Sequence, residues 1–203
     1  MAPSLQLHYL SNLLSLPTAV YAAILLFLIK EGLEWNRRKR ADKRKLSVFR
    51  RMLAYECERN NWFIKSLQSD AKKVRPERKA YLIKTDGSGR QRFVFLGRDG
   101  TEGISGIFPL VHRTTFEKLA IEVGYVDPKL ADKVSKALDA ALELEHIRNS
   151  IIDYAPGSEE YQYDEFYQAF WNYVRRRLKG NHDDLSLLYL ACTGRGLKEF
   201  RLV

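Results

Sequence analysis

The abrupt change in charge at residue 30 constrains this chain more than any other feature. Residues 1–29 carry no Asp, Glu, Lys or Arg, and residues 10–29 are mostly apolar. A helix of about 20 residues is long enough to cross the hydrocarbon core of a bilayer. We therefore expect a transmembrane helix over residues 10–29, preceded by a short non-cytoplasmic N-terminus over residues 1–9.

The basic residues are concentrated directly behind this stretch. Residues 30–51 have a net charge of +7, residues 52–79 of +3 and residues 80–203 of −1. A basic segment beside an apolar helix typically stays on the cytoplasmic side and contacts anionic lipid head groups. This pattern predicts a single-pass protein of the inner membrane with its C-terminal domain in the cytoplasm. Ten residues are assigned this topology and head-group role: Lys30, Arg37, Arg38, Lys39, Arg40, Lys43, Arg44, Lys45, Arg50 and Arg51.

Two other interpretations of the N-terminus remain open. Polar residues and Pro17 interrupt the stretch, and its strongly apolar part is only Ala19–Ile29, so residues 13–29 are alternatively a buried helix of a soluble fold. A cleaved signal peptide is less favoured, because such peptides begin with positive charge and residues 1–9 contain no Lys or Arg.

The remaining pattern predicts an α+β fold that is mainly helical. A basic helix over residues 30–71 and a linker over residues 72–79 precede a domain over residues 80–203. Strand formers around the turn sequence Asp86–Gly89 predict an antiparallel meander. Helices are expected from Thr114 or Thr115 to about Val123, from Pro128 to about Tyr154, over residues 164–179, and over residues 185–191, with Gly124 and Gly180-Asn181 as helix ends.

One face of the basic helix must pack against another surface. Glu56 and Asn60 interrupt an otherwise apolar series at alternating steps of three and four residues. The partner of this face is either the chain's own C-terminal domain or a second copy, although the clean heptads of a coiled coil are absent. The residues of this face are Leu46, Phe49, Leu53, Glu56, Asn60, Phe63 and Leu67.

Aromatic residues are unusually dense between positions 161 and 173. They cannot all face one core from one helix, so some of them are expected to contact a partner. Together with the helix face above, they give five predicted partner-surface residues: Phe49, Leu53, Phe63, Tyr167 and Trp171.

No part of the sequence specifies a reaction. The four His residues have no neighbouring His or Cys at metal-ligand spacing, and Gly97–Gly103 lacks the Lys-Ser/Thr of a phosphate-binding loop. Cys57 lies between Glu56 and Glu58, whose charges raise a thiol pKa. We therefore predict no catalytic residue, cofactor or metal, and expect the partners to be membrane lipid and either a second copy or another protein, with nucleic acid less favoured.

The layout resembles that of a loose group of bacterial membrane proteins, best over residues 34–61 and 114–153. These have one N-terminal helix, a basic helix beside the membrane and a compact helical domain, and some act in phage defence or stress. Members of this group commonly lack an assigned function. The apolar helix and the two candidate contact surfaces predict a single-pass membrane-anchored cytoplasmic interaction or sensor protein, bacterial and oligomeric. The alternatives are a membrane-disrupting effector whose N-terminal helices oligomerise and a nucleic-acid-binding protein that uses the basic segment.

Overall fold

The computed structural model describes residues 17–73, 81–97, 100–154 and 164–197. These residues are mainly helical, with one small antiparallel sheet. The chain divides into two compact units, of which the first ends at Lys45 and the second begins at Leu46. The elements in chain order are α1 (Thr18–Lys73), β1 (Tyr81–Thr85), β2 (Gln91–Leu96), β3 (Glu102–Ile107), α2 (Thr114–Val126), α3 (Pro128–Asp153) and α4 (Asp164–Thr193).

The first helix, α1, is 56 residues long and runs through both units. Its residues from Phe49 to Ala71 supply a large part of the core of the second unit. Helix nucleation is costly, whereas each added residue is nearly neutral in free energy. The packed part therefore provides a formed helical turn from which the Ala- and Leu-rich residues 18–29 extend the helix.

The predicted transmembrane helix over residues 10–29 is wrong. Among the residues that the structure describes, no helix is long and apolar enough to cross a membrane. The uncharged part of α1 runs only from Thr18 to Ile29 before Lys30 and Glu31 follow, and 12 residues span about 18 Å against roughly 30 Å of hydrocarbon. Residues 10–16 lie outside the described residues. The predicted single-pass localisation in the inner membrane depended on this transmembrane helix and is also wrong.

The sheet has the strand order β1-β2-β3 with both pairs antiparallel. Asp86 organises the first turn, because its carboxylate accepts hydrogen bonds from the backbone N–H groups of Ser88 and Arg90. Gly89 completes the turn at φ +78°, a conformation that glycine adopts without steric cost. The predicted antiparallel meander is therefore present, and its third strand is Glu102–Ile107.

Helices cover the aromatic side of the sheet. Tyr81 stacks on Phe93 with ring centroids 4.5 Å apart, and both rings meet Trp171 of α4 edge-on. The Tyr81 hydroxyl donates a hydrogen bond to the backbone carbonyl of Ile151, near the end of α3. A small sheet is only marginally stable alone, and these contacts anchor it to the helical core.

The boundary between α2 and α3 follows from Asp127 and Pro128. The Asp127 side chain accepts a hydrogen bond from the Leu130 N–H at 3.1 Å, and Pro128 occupies the first helical position. Pro suits that position because its missing N–H would have no helical partner there. The predicted start of α3 is confirmed, but α2 continues past Gly124 to Val126.

Helix α4 is one continuous helix rather than two. Gly180 and Asn181, which were predicted to end a helix, lie inside it. Leu178, Leu185 and Leu188 on either side are fully buried. Packing of this apolar stripe outweighs the cost of about 1 kcal/mol for one glycine in a helix interior.

Candidate interaction surface

Residues 18–29 of α1 form an exposed apolar surface, here called the apolar segment. Every residue of this segment is exposed, and its large apolar side chains retain between 37% and 65% of their accessible surface. These side chains are Val20, Tyr21, Ile24, Leu25, Leu26, Phe27, Leu28 and Ile29. Contiguous apolar surface of this kind marks interaction sites in folded proteins.

The exposed side chains point in every direction around the helix axis. Residues 24–29 are six consecutive apolar positions, and successive residues are rotated by about 100° around a helix. A helix that packs on one surface has an apolar stripe on one side only, whereas one that is apolar all round is buried on all sides when it functions. The apolar segment therefore suits an enclosing partner surface better than a flat one.

Residues 30–45 form a second surface, here called the basic segment. It contains eight basic and three acidic residues, and all its basic side chains are exposed. Its local contacts include Arg38, 3.7 Å from the Glu34 carboxylate, and the Lys39 ammonium, 4.7 Å from the centre of the Trp35 ring. These exposed contacts are each worth a fraction of 1 kcal/mol to about 1 kcal/mol, so the segment keeps a strong positive potential.

The ten predicted head-group residues do not form a uniform set. Arg51 and the eight basic residues from Lys30 to Lys45 are exposed. Arg50 instead is half-buried and forms an ion pair at 3.3 Å with Asp127, the residue that caps α3. Arg50 therefore contributes to the second unit's fold, and contact of the other nine with anionic groups stays a prediction.

Most of the predicted partner-surface residues lie in the protein interior. Phe49, Leu53, Phe63 and Trp171 are buried in the core of the second unit, so they are not available to a partner. The face of α1 that had to pack on something thus packs on the chain's own C-terminal region. The side chain of Tyr167 lies outside the described residues.

Glu56 and Asn60, which interrupt the apolar face of α1, hold the segment that leads into α2. The buried Glu56 carboxylate accepts hydrogen bonds from the Thr115 N–H at 2.8 Å and from its hydroxyl at 2.6 Å. Arg113 flanks the N-terminus of α2, but its side chain makes no capping hydrogen bond to that helix. Glu56 supplies this cap from another element and places its negative charge at the positive end of the helix dipole.

Asn60 makes a matching pair of hydrogen bonds one turn further along α1. Its amide nitrogen donates to the His112 carbonyl at 2.5 Å, and its amide oxygen accepts from the His112 N–H at 2.8 Å. Burial lowers the pKa of His112, and the nearby Arg59 charge lowers it further. The lowered pKa favours the neutral imidazole. The sequence marked Glu56 and Asn60 because they are polar residues within the otherwise apolar series on this face of α1.

The other polar clusters of the second unit also hold elements together. The Tyr189 hydroxyl donates to Glu58 at 2.8 Å and links α4 to α1. Glu143 accepts hydrogen bonds from Tyr173 at 2.6 Å and from Arg177 at 2.8 Å, which join α3 to α4. The hydrogen bonds to Arg177 and Tyr173 lower the pKa of Glu143 and keep it ionised. Arg175 donates to the Ala71 carbonyl near the end of α1.

The cysteines and possible metal ligands offer no reactive arrangement in the described ranges. Burial raises the pKa of Cys57 well above its ordinary value, with smaller contributions from Cys192 and the two neighbouring glutamates. The thiol is the less reactive form of cysteine. Residues 17–73, 81–97, 100–154 and 164–197 contain no group of three His, Cys, Asp or Glu side chains placed to bind a metal ion.

Comparison with known proteins adds no further constraint. The chain matches no protein-family model, no curated protein sequence and no solved structure.

Proposed function

We propose that this chain is an interaction protein in which residues 18–45 of α1 bind another molecule. The core of the second unit is built from residues that begin at Leu46, so residues 18–45 are not needed to complete it. The observation that carries the proposal is the exposure of the apolar segment on all sides.

The energy available from covering this segment is large. Complete burial of one large apolar side chain stabilises a complex by about 1.5–3 kcal/mol. Eight such side chains that are roughly half exposed represent on the order of 10 kcal/mol before the costs of association. Association itself costs about 4 kcal/mol or more, so covering the apolar segment contributes to a complex but does not by itself set its affinity.

The two alternative functions predicted from the sequence have less support. The membrane-disrupting effector was argued from a transmembrane helix that the structure contradicts, so it is not carried further. Nucleic-acid binding would use the basic segment, but it leaves the uncharged residues 18–29 without a role. We retain nucleic acid only as a possible outcome of the experiments.

Site-specific photo-cross-linking in cells tests the proposal. A photoreactive amino acid replaces Leu26, which is 65% exposed, or in the control Ile121, which is 71% exposed on α2. We expect a discrete adduct from position 26 that is absent from position 121. Equal or absent cross-linking from the two positions would show that residues 18–45 are not the binding segment.

A further inference from the structure

The charge and shape of residues 18–45 restrict the kind of partner, provided that the proposed function holds. We infer that the partner is a protein with an apolar groove that surrounds residues 18–29 and with carboxylates at the mouth where residues 30–45 emerge. This differs from ordinary helix-in-groove recognition, in which an amphipathic helix lays one apolar face into a groove, because here the groove covers several faces of the helix.

The shape of the groove follows from the arrangement of exposed side chains. The apolar side chains of residues 24–29 surround the helix axis, so a flat surface would leave about half of them in water. A groove that covers the whole apolar segment must be about 18 Å long. The continuous helix is already formed in the free chain, which reduces the ordering cost of binding.

The acidic mouth follows from charge complementarity. The basic segment has a net charge of +5, and one of its three carboxylates, Glu34, already contacts Arg38. Like charges three or four residues apart, such as Arg40 with Lys43 and Arg44, destabilise an isolated helix. Carboxylates on the partner relieve this repulsion and attract the segment during encounter.

A second copy of the chain fits less well. Residues 46–203 also have a positive net charge, +4, so another copy brings no excess of carboxylates to the basic segment. A parallel pair of α1 helices would place +5 directly against +5. Electrostatic complementarity therefore favours a different protein over self-association.

Binding by the full-length chain to calcium-loaded calmodulin, a probe that takes helical targets into an apolar groove, tests this chemistry. We expect binding that weakens about a hundredfold in the double variant Leu25→Asp/Phe27→Asp, because two large side chains leave the groove. The matched control Ile121→Asp, on an exposed position of α2, is expected to bind as the unmodified chain does. Residues 25 and 27 are exposed, so circular dichroism should show an unchanged fold.

The basic segment is tested separately with Arg37→Gln/Arg38→Gln/Arg40→Gln. We expect about tenfold weaker binding to calmodulin in low salt and a smaller difference in high salt, because salt screens exposed charges. Duplex DNA and vesicles of anionic phospholipid are parallel probes. Calmodulin binding that is absent or insensitive to the position 25/27 variant, or tighter binding to either parallel probe, would overturn the inference.

The cross-linking experiment keeps the two claims distinguishable. An adduct at position 26 with a second copy of this chain, or with a protein that lacks acidic residues beside its groove, overturns the inference and leaves the proposed function standing. Absence of any position-specific adduct overturns the proposed function itself.

Discussion

At the scale of single residues, buried polar side chains fix how the elements meet. Glu56 and Asn60 lie one helical turn apart on α1, and both bind the chain between residues 112 and 115. Their positions on a buried face could be predicted from the sequence. Their partners could not, because hydrogen bonds between residues more than 50 positions apart depend on the tertiary fold.

Substitution of Glu56 by Ala is expected to lower the free energy of unfolding by about 1–3 kcal/mol, because it leaves the Thr115 N–H and hydroxyl without their acceptor. Glu56→Gln should cost less, since its amide oxygen still accepts one hydrogen bond. Chemical denaturation followed by circular dichroism measures both. The control Asp132→Ala removes only an exposed ion pair with Lys136 and should change the value by less than about 0.5 kcal/mol. A Glu56→Ala effect as small as the control's would contradict the capping role.

Ionisation of Tyr189 is expected to lower the stability of the fold at alkaline pH. Burial, aided by the hydrogen bond to Glu58, raises its pKa to about 12, whereas an unfolded tyrosine ionises near pH 10. Its contribution to stability is therefore complete below about pH 10 and is lost as the pH rises towards 12. Tyr189→Phe should flatten the fall in unfolding free energy across this range. An identical pH profile for the variant and the unmodified chain would rule out this linkage.

At the scale of elements, the sequence predicted the type of most helices and strands but not all their ends. The predicted start of α3 at Pro128 was correct because the capping side chain of Asp127 and the fixed φ of Pro128 act locally. Gly180-Asn181 was misleading because Leu178, Leu185 and Leu188 are buried on both sides of it, and this packing is a non-local effect. The transmembrane prediction failed because, in the described part of the chain, Lys30 and Glu31 end an uncharged stretch of α1 that is only 12 residues long.

The continuity of α4 predicts opposite effects for the same substitution at two glycines. Nothing lies within 4 Å of a methyl group added at Gly180, so Gly180→Ala should stabilise the protein by about 0.5–1 kcal/mol. Gly194 follows the helix end at φ +70°, where an alanine is strained, so Gly194→Ala should destabilise it. Thermal unfolding of both variants gives the comparison. Destabilisation by Gly180→Ala would indicate a helix break at that position.

At the scale of the whole molecule, α1 contains a packed part and an exposed part in one helix. Residues from Phe49 to Ala71 are part of the core, whereas residues 18–29 are exposed on all sides. Apolar patterning identified both stretches as surfaces that must be covered. It could not show that the first is covered by the chain's own core and the second is left exposed, because that depends on which surfaces the remaining elements occupy.

Hydrogen–deuterium exchange of the full-length chain at low concentration tests this division of α1 most directly. Amides in the packed part of a helix open mainly by global unfolding, whereas amides in an unpacked part open locally. We predict that residues 49–71 exchange slowly and that residues 18–29 exchange much faster. Equally slow exchange in the two parts would show that residues 18–29 are already buried, and would contradict the account.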